Sequence, residues 1–271
     1  MKIDLEDNYD DILGKAQRGL GLKSAEVAER SGVTEAEVRS VIGGEYDEAL
    51  VRSVSPVLGL DADRVVAIGE GSYFPEAVSV EGVVQVNTPF EDMTVNAYLL
   101  WDLASRRAAV FDTGSDVTDL LAAADERDLT IERVFITHAH GDHIFDLDRL
   151  RRKTGVTPVT PSREVVDGAE RFDIGEEFTI GRLSVETRLT CGHARGGVTY
   201  VVRGLAVPVA ICGDAMFAGS MGGGMISYEE ALKTNREEIL SLEDETVLCP
   251  GHGPMTTVGE QRRCNPFFPE V

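Results

Sequence analysis

The segment Phe135–Asp146, FITHAHGDHIFD, carries three imidazoles and a carboxylate within six residues: His138, His140, Asp142 and His143. The chain has 271 residues and only 5 histidines, so more than half of its imidazole lies in this one stretch. In extended backbone, positions i and i+2 project to the same side, which places His138 beside His140. A tight turn at Gly141 then sets Asp142 and His143 at the start of a helix. Neutral imidazole and carboxylate suit Zn²⁺, Fe²⁺ and Mn²⁺. The spacing lets these groups converge on one point or on two neighbouring points.

The other two histidines sit in similar surroundings. His193 lies in LTCGHARGG, between two strand-like runs, and His252 lies in CPGHGP after TVLCP. Asp214 follows the run PVAICG, and Asp112 follows RAAVF in the segment FDTG. Each chemically useful group is therefore expected just past a strand end, in a loop held by a rigid scaffold.

The scaffold is legible as alternating strand and helix. SVEGVVQV, VNAYLLWD, RAAVFD, RVFIT, LSVETRL, VTYVV, PVAICG and ETVLCP read as strands. DVTDLLAAADERD, IFDLDRLRRKTG and SYEEALKTNREEILSL read as helices. Such a mixture predicts layered sheets covered by helices. The texture changes near residue 75, which divides the chain into a helical segment, 1–75, and a strand-and-helix segment, 76–271. In the first, KSAEVAERSG has Ser24 as N-cap and Gly32 as stop, and TEAEVRSVIGG has Thr34 and Glu37 as a capping box. DEALVRSVSPVLGL and DADRVVAIG complete a small bundle.

Composition narrows the function. The net charge is −21, from 47 acidic and 26 basic residues. That balance opposes nucleic acid, whose phosphates would be repelled, and anionic membrane surfaces. No apolar run approaches the roughly 18 residues of a membrane span. The N-terminus MKIDLEDNYDDILG has no apolar core segment, so it does not read as a secretory signal. A cytoplasmic location is expected, with Cys191, Cys212, Cys249 and Cys264 as reduced, partly buried thiols. Cys191, close to His193 in sequence, is expected to be passive.

The set His138, His140, Asp142, His143, His193, Asp214 and His252 resembles the metallo-β-lactamase superfamily, over about residues 78–268. The resemblance implies a four-layer αββα sandwich with a binuclear metal site at one edge. It implies a first metal held by His138, His140 and His193, a second by Asp142, His143 and His252, and Asp214 between them. Asp112 would support the metal loop. Two divalent ions are expected, zinc first and iron or manganese as alternatives. The implied chemistry is hydrolysis by a metal-bridging hydroxide that Asp142 helps to orient.

GDAMFAGS, SYEEALKTNREEIL and CPGHGPMTTVGEQRRCNPFF are similar to stretches of the glyoxalase II-like hydrolases. The chain departs from that group in stopping soon after NPFF and in lacking an arginine at Gly222–Gly224. A small-molecule thioester or ester is therefore the expected substrate, rather than hydroxyacylglutathione itself. The alternative is a persulfide dioxygenase with one iron on His138, His193 and Asp214. β-Lactam hydrolysis is not expected, because no export signal is read and Asp214 stands where many such lactamases have cysteine.

Residues 10–70 resemble the helix-turn-helix domain of the Cro/CI repressor family. That implies a second alternative, a DNA-binding regulator with a metal-sensing domain. Residues 1–75, however, hold 15 acidic and 8 basic residues. The would-be recognition helix carries Glu35, Glu37 and only Arg39, where DNA binding requires cations. Packing, homodimerisation or partner docking is the expected role of this segment, apart from the chemistry.

Overall fold

The computed structural model describes residues 2–270. Five short helices come first: α1 (Tyr9–Gly19), α2 (Ser24–Ser31), α3 (Glu35–Ile42), α4 (Glu48–Val54) and α5 (Ala62–Gly69). The Thr34–Glu37 capping box forms. Glu37 N–H donates to the Thr34 hydroxyl at 3.2 Å, and Thr34 N–H donates to the Glu37 carboxylate at 2.7 Å. The start of α2 differs from expectation. Lys23 is the N-cap residue, with its N–H donating to Glu26 at 2.9 Å. Ser24 is already helical, and its hydroxyl accepts from Gln17 of α1 at 3.3 Å. A tertiary contact has taken the side chain that a cap would use. Arg39, the lone cation of α3, is ion-paired with Glu35.

Two six-stranded sheets follow. The first runs in order through β1 (Val83–Phe90), β2 (Met93–Trp101), β3 (Arg107–Phe111), β4 (Thr130–Phe135), β5 (Val159–Pro161) and β6 (Glu170–Phe172). The second contains β7 (Glu177–Ile180), β8 (Leu183–Leu189), β9 (Val198–Arg203), β10 (Val209–Gly213), β11 (Val247–Pro250) and β12 (Thr256–Thr257), also in sequential order. Helices α6 (Thr118–Glu126), α7 (Gly141–Ile144), α8 (Leu147–Thr154), α9 (Tyr228–Thr234) and α10 (Val258–Cys264) connect or cover them.

The strands are apolar on both faces because both faces are covered. Between the sheets, Leu100, Phe111 and Phe135 meet Val185, Tyr200, Val202 and Ile211. The rings of Phe111 and Phe135 stack at 5.0 Å, and Tyr200 lies 4.9 Å from Phe135. On the outer face of the first sheet, Leu99 and Val110 pack on Leu120 of α6 and Leu150 of α8. On the outer face of the second, Val201, Ala210 and Leu248 pack on Tyr228, Ile239 and Val258. The layers are thus helix, sheet, sheet, helix, as expected. Ile12, Leu13, Val38, Val51 and Val65 of the first five helices join that last cluster.

The strands β5, β6, β7 and β12 and the helix α10 were not foreseen. The four strands run for only two to four residues, too short to show an alternation. The helix expected over 227–242 ends at Thr234 and continues as a π-helical turn, Asn235–Ile239. There the Asn235 amide donates to the Ala215 carbonyl at 2.8 Å, tying this turn to the loop after Asp214.

Candidate metal centre

Topology explains why residues distant in sequence share one edge. The pairs β3/β4 and β10/β11 are parallel, so both members of each pair end at the same edge of their sheet. Asp112 follows β3, the histidine segment follows β4, Asp214 follows β10 and His252 follows β11. α7 carries Asp142 and His143, and His193 lies in the loop joining β8 to β9. The chain turns sharply at Asp112, whose φ of 55° is left-handed. Aspartate tolerates that region better than most residues.

All seven residues singled out from the sequence come together. His138, His140, His193 and Asp214 offer ligand atoms within 4.8 Å of one another, as do Asp142, His143 and His252. In the first group, His140 Nδ1 lies 3.0 Å from both His138 Nε2 and His193 Nε2. In the second, His252 Nε2 lies 3.2 Å and His143 Nε2 3.5 Å from Asp142 Oδ2. Asp214 stands between the groups. Its Oδ2 is 3.3 Å from His193 Nε2 and 3.4 Å from His252 Nε2, and its Oδ1 is 3.2 Å from His143 Nε2. Gly251 permits this approach: a Cβ there would lie 2.1 Å from Asp214 Oδ1 and 2.6 Å from His143 Cε1.

Four of the five outward ring nitrogens are held by the protein. His143 Nδ1 pairs with Asp112 Oδ2 at 2.8 Å, His193 Nδ1 with the Gly223 carbonyl at 3.0 Å, and His252 Nδ1 with the Thr94 carbonyl at 2.6 Å. His138 Nδ1 meets the Thr137 hydroxyl at 3.0 Å, and that hydroxyl donates to Asp112 Oδ2 at 2.7 Å. A carbonyl can only accept, so His193 and His252 each donate from Nδ1, which turns Nε2 towards the centre. Asp112 thereby orients rings from both groups, and its Oδ1 also accepts from Thr137 N–H at 2.8 Å.

Burial holds His138 well below the usual imidazole range and lowers His193 as well. Burial also opposes charge on His143, but Asp214 and Asp112 outweigh it and raise its pKa to about 10. Asp214 and Asp142 likewise raise His252 to about 11. The same histidines hold the Asp214 carboxyl well below its ordinary range against its own burial.

This donor set fits divalent metal. It is imidazole and carboxylate throughout, with ligand atoms aimed inward and the outer nitrogens of His138, His143, His193 and His252 partnered. Two buried atoms, His143 Nε2 and Asp214 Oδ1, have no hydrogen-bond partner although they approach to 3.2 Å. Buried polar atoms are ordinarily satisfied, so an unpaired pair facing each other marks a place for a ligand they would share.

Several residues at the centre carried no signal in the sequence. Glu164 is buried, and its carboxylate accepts from Ala139 N–H at 3.0 Å and Gly196 N–H at 2.6 Å. It therefore links the His138–His140 segment to the His193 loop. Nothing local in TPSREVVDG announces that role. The centre opens into a cleft of about 760 Å³ whose walls include Phe90, Met93, Phe217 and Met225. Glu6, Lys15, Arg18 and Gly19 line the same cleft. The segment expected to act apart from the chemistry thus forms one of its walls, because α1 lies against the loop that follows Asp214 and against Tyr228 of α9. Burial raises the Glu6 carboxyl to about 7, 3.8 Å from His252. Cys191 lies outside the cleft, and burial with Glu230 nearby pushes its thiol pKa up.

The profile of the metallo-beta-lactamase superfamily matches residues 91–252. Hydroxyacylglutathione hydrolase GloC of Haemophilus influenzae is 27% identical over 199 residues, covering 64% of this chain and 92% of that protein. The probable metallo-hydrolase YqgX of Bacillus subtilis is 29% identical over 206 residues, covering 66% and 95%. Among solved structures, ETHE1 from Myxococcus xanthus superposes with a TM-score of 0.59 at 27% identity, over 68% of this chain and 83% of that one. The B3 metallo-beta-lactamase BLEG-1 gives 0.59 at 26%, over 69% and 100%. With its profile match spanning the strands and loops that assemble the centre, this chain belongs to the metallo-β-lactamase superfamily.

Proposed function

We propose that this protein is a metal-dependent hydrolase acting on a thioester or ester, with two divalent ions, zinc by preference. The observation that carries this reading is the convergence of His138, His140 and His193 on one side of Asp214 and of Asp142, His143 and His252 on the other. The first trio would hold one ion, the second trio another, and Asp214 would touch both. Bound there, the ions supply Lewis acidity and a water acidified towards neutral pH.

The chain's own residues do the rest. Asp142 faces the cleft from beside His252 and is placed to orient the attacking water. Phe90, Met93, Phe217 and Met225 receive the apolar part of the substrate and exclude bulk water. Among the residues lining the cleft none is serine or cysteine, so the attack proceeds without a side-chain nucleophile. The thioester class is favoured by the similarity to a hydroxyacylglutathione hydrolase.

The test is metal counted per chain in the purified protein, followed by a thioester, lactone and β-lactam panel. About two ions per chain with thioester turnover would support the reading. A single iron with oxygen uptake on a persulfide would replace it with the dioxygenase reading. His138→Ala should abolish turnover and lower bound metal; full activity in that variant would sink the metal mechanism.

A further inference from the structure

The cleft wall opposite the metal loops is α1, and its placement is specific. Lys15 Nζ donates to the Met221 carbonyl at 3.0 Å and pairs with Asp7 Oδ2 at 2.5 Å. Asp7 also accepts from the Ser220 hydroxyl at 2.5 Å. These contacts clamp the N-terminal segment onto the loop that follows Asp214. At the other end of α1, Gly19 lies on the Tyr228 ring so closely that a Cβ would come within 2.3 Å of it. The helix is thus fixed at both ends against the sandwich.

Phe217 separates Lys15 from the metal centre. Its ring centroid is 5.1 Å from Lys15 Nζ and 5.7 Å from the His252 ring. Lys15 is already neutralised by Asp7. Arg18 stands three residues further along the helix, roughly 4.5 Å beyond Lys15 at 1.5 Å per residue. It lines the cleft and has no carboxylate partner among the described residues. Its guanidinium lies back over Gly14, where a Cβ would come within 2.9 Å of Nη1. The cleft is therefore lined by the candidate metal ligands, by the apolar side chains of Phe90, Met93, Phe217 and Met225, by Glu6, and by one guanidinium that pairs with no carboxylate among the described residues. In a chain of net charge −21, an anionic molecule would be repelled overall unless such a cation met it. Guanidinium matches carboxylate geometry with paired donors.

We propose that α1 is the specificity wall of the metal cleft and that Arg18 binds a carboxylate carried by the substrate at a distance from the bond being cleaved. This deepens the hydrolase reading and rests on it for the identity of the reacting bond. The substrate class is a carboxylated thioester or ester with a short apolar spacer.

The test separates recognition from chemistry. Metal-replete wild-type protein is titrated calorimetrically with two unreactive thioethers, identical except that one ends in a carboxylate and the other in a primary amide. At low salt the carboxylate form should bind about tenfold or more tightly, equivalent to about 1.4 kcal/mol. The preference should shrink as NaCl is raised to about 0.5 M, where screening reaches a few ångströms. Arg18→Glu should abolish or reverse it, and Arg18→Lys should keep part of it. With matched thioester substrates, the change in Arg18→Glu should appear in KM, with kcat and bound metal near wild-type values. Equal affinity for the two thioethers in wild type, or an unchanged preference in Arg18→Glu, would overturn the proposal. Carboxylate preference without turnover of any thioester or ester would instead overturn the hydrolase reading and leave α1 as a recognition wall for another reaction.

Discussion

At the scale of single residues, the outer hydrogen bonds decide how well the inward nitrogens are aimed. Asp112 accepts from both His143 and Thr137, and Thr137 in turn meets His138. Replacing an oxygen of Asp112 with an amide puts a donor where donors already point. Asp112→Asn should weaken metal binding by about 10–100-fold, the usual cost of losing such a partner, in chelator competition. Glu164 acts through backbone instead, joining the loops that carry His140 and His193. Glu164→Gln keeps the shape but turns one acceptor into a donor facing an N–H. Lower metal affinity with unchanged far-ultraviolet circular dichroism is expected. Wild-type affinity in both variants would show that the loops hold their ligands without these carboxylates.

At the scale of elements, the turn between β2 and β3 is organised by Asp102. Its carboxylate accepts from the Ser105 hydroxyl at 2.6 Å, from Ala104 N–H at 3.1 Å and from Arg182 N–H of the other sheet at 3.1 Å. The Ser105 bond leads in holding its pKa well below the ordinary 3.8, with the backbone and Arg182 bonds adding to it. A depressed folded-state pKa means that the stabilisation is present above 3.8 and is lost as pH falls below it. Asp102→Asn should be less stable than wild type by roughly 1.5–3 kcal/mol at pH 7, the range for bonds to a charged group. In urea unfolding, the gap should narrow as pH falls below 4; a constant gap would assign the loss to packing. In α1, Leu13 is fully buried. Leu13→Ala should cost about 2–5 kcal/mol in the same measurement.

At the scale of the whole molecule, the first five helices and the second sheet share one apolar cluster. Helices and sandwich should therefore unfold in a single transition, seen alike by circular dichroism and fluorescence. Two separated transitions would mean that the shared cluster couples them weakly. A chain lacking residues 1–75 would uncover Tyr228 and Met221, against which α1 lies, and should aggregate. The charge of −21 is a second property of the molecule as a whole. Self-repulsion disfavours the compact state, and salt screens it. Tm should rise as NaCl is raised from about 0.02 to 0.15 M, in contrast to the fall expected of a protein held together by surface ion pairs.

The sequence by itself determined the metal-binding chemistry and the broad architecture. Imidazole and carboxylate types are unmistakable, and the spacing His138-x-His140-x-Asp142-His143 lies within one strand end and turn, where local geometry governs. The alternation of strands and helices, and the capping box at Thr34, are local for the same reason. The place of Asp214 between two ligand groups was implied by the family resemblance, and the physical reason for it is that parallel strand pairs end at one edge. Tertiary structure alone decided the rest. Glu164 reaches both metal loops through backbone N–H groups, which leave no mark on residue type. Lys15 meets the Met221 carbonyl across 206 positions of chain. Contacts over such separations are set by how apolar faces stack, and no spacing rule along the chain encodes which helix comes to rest against the cleft.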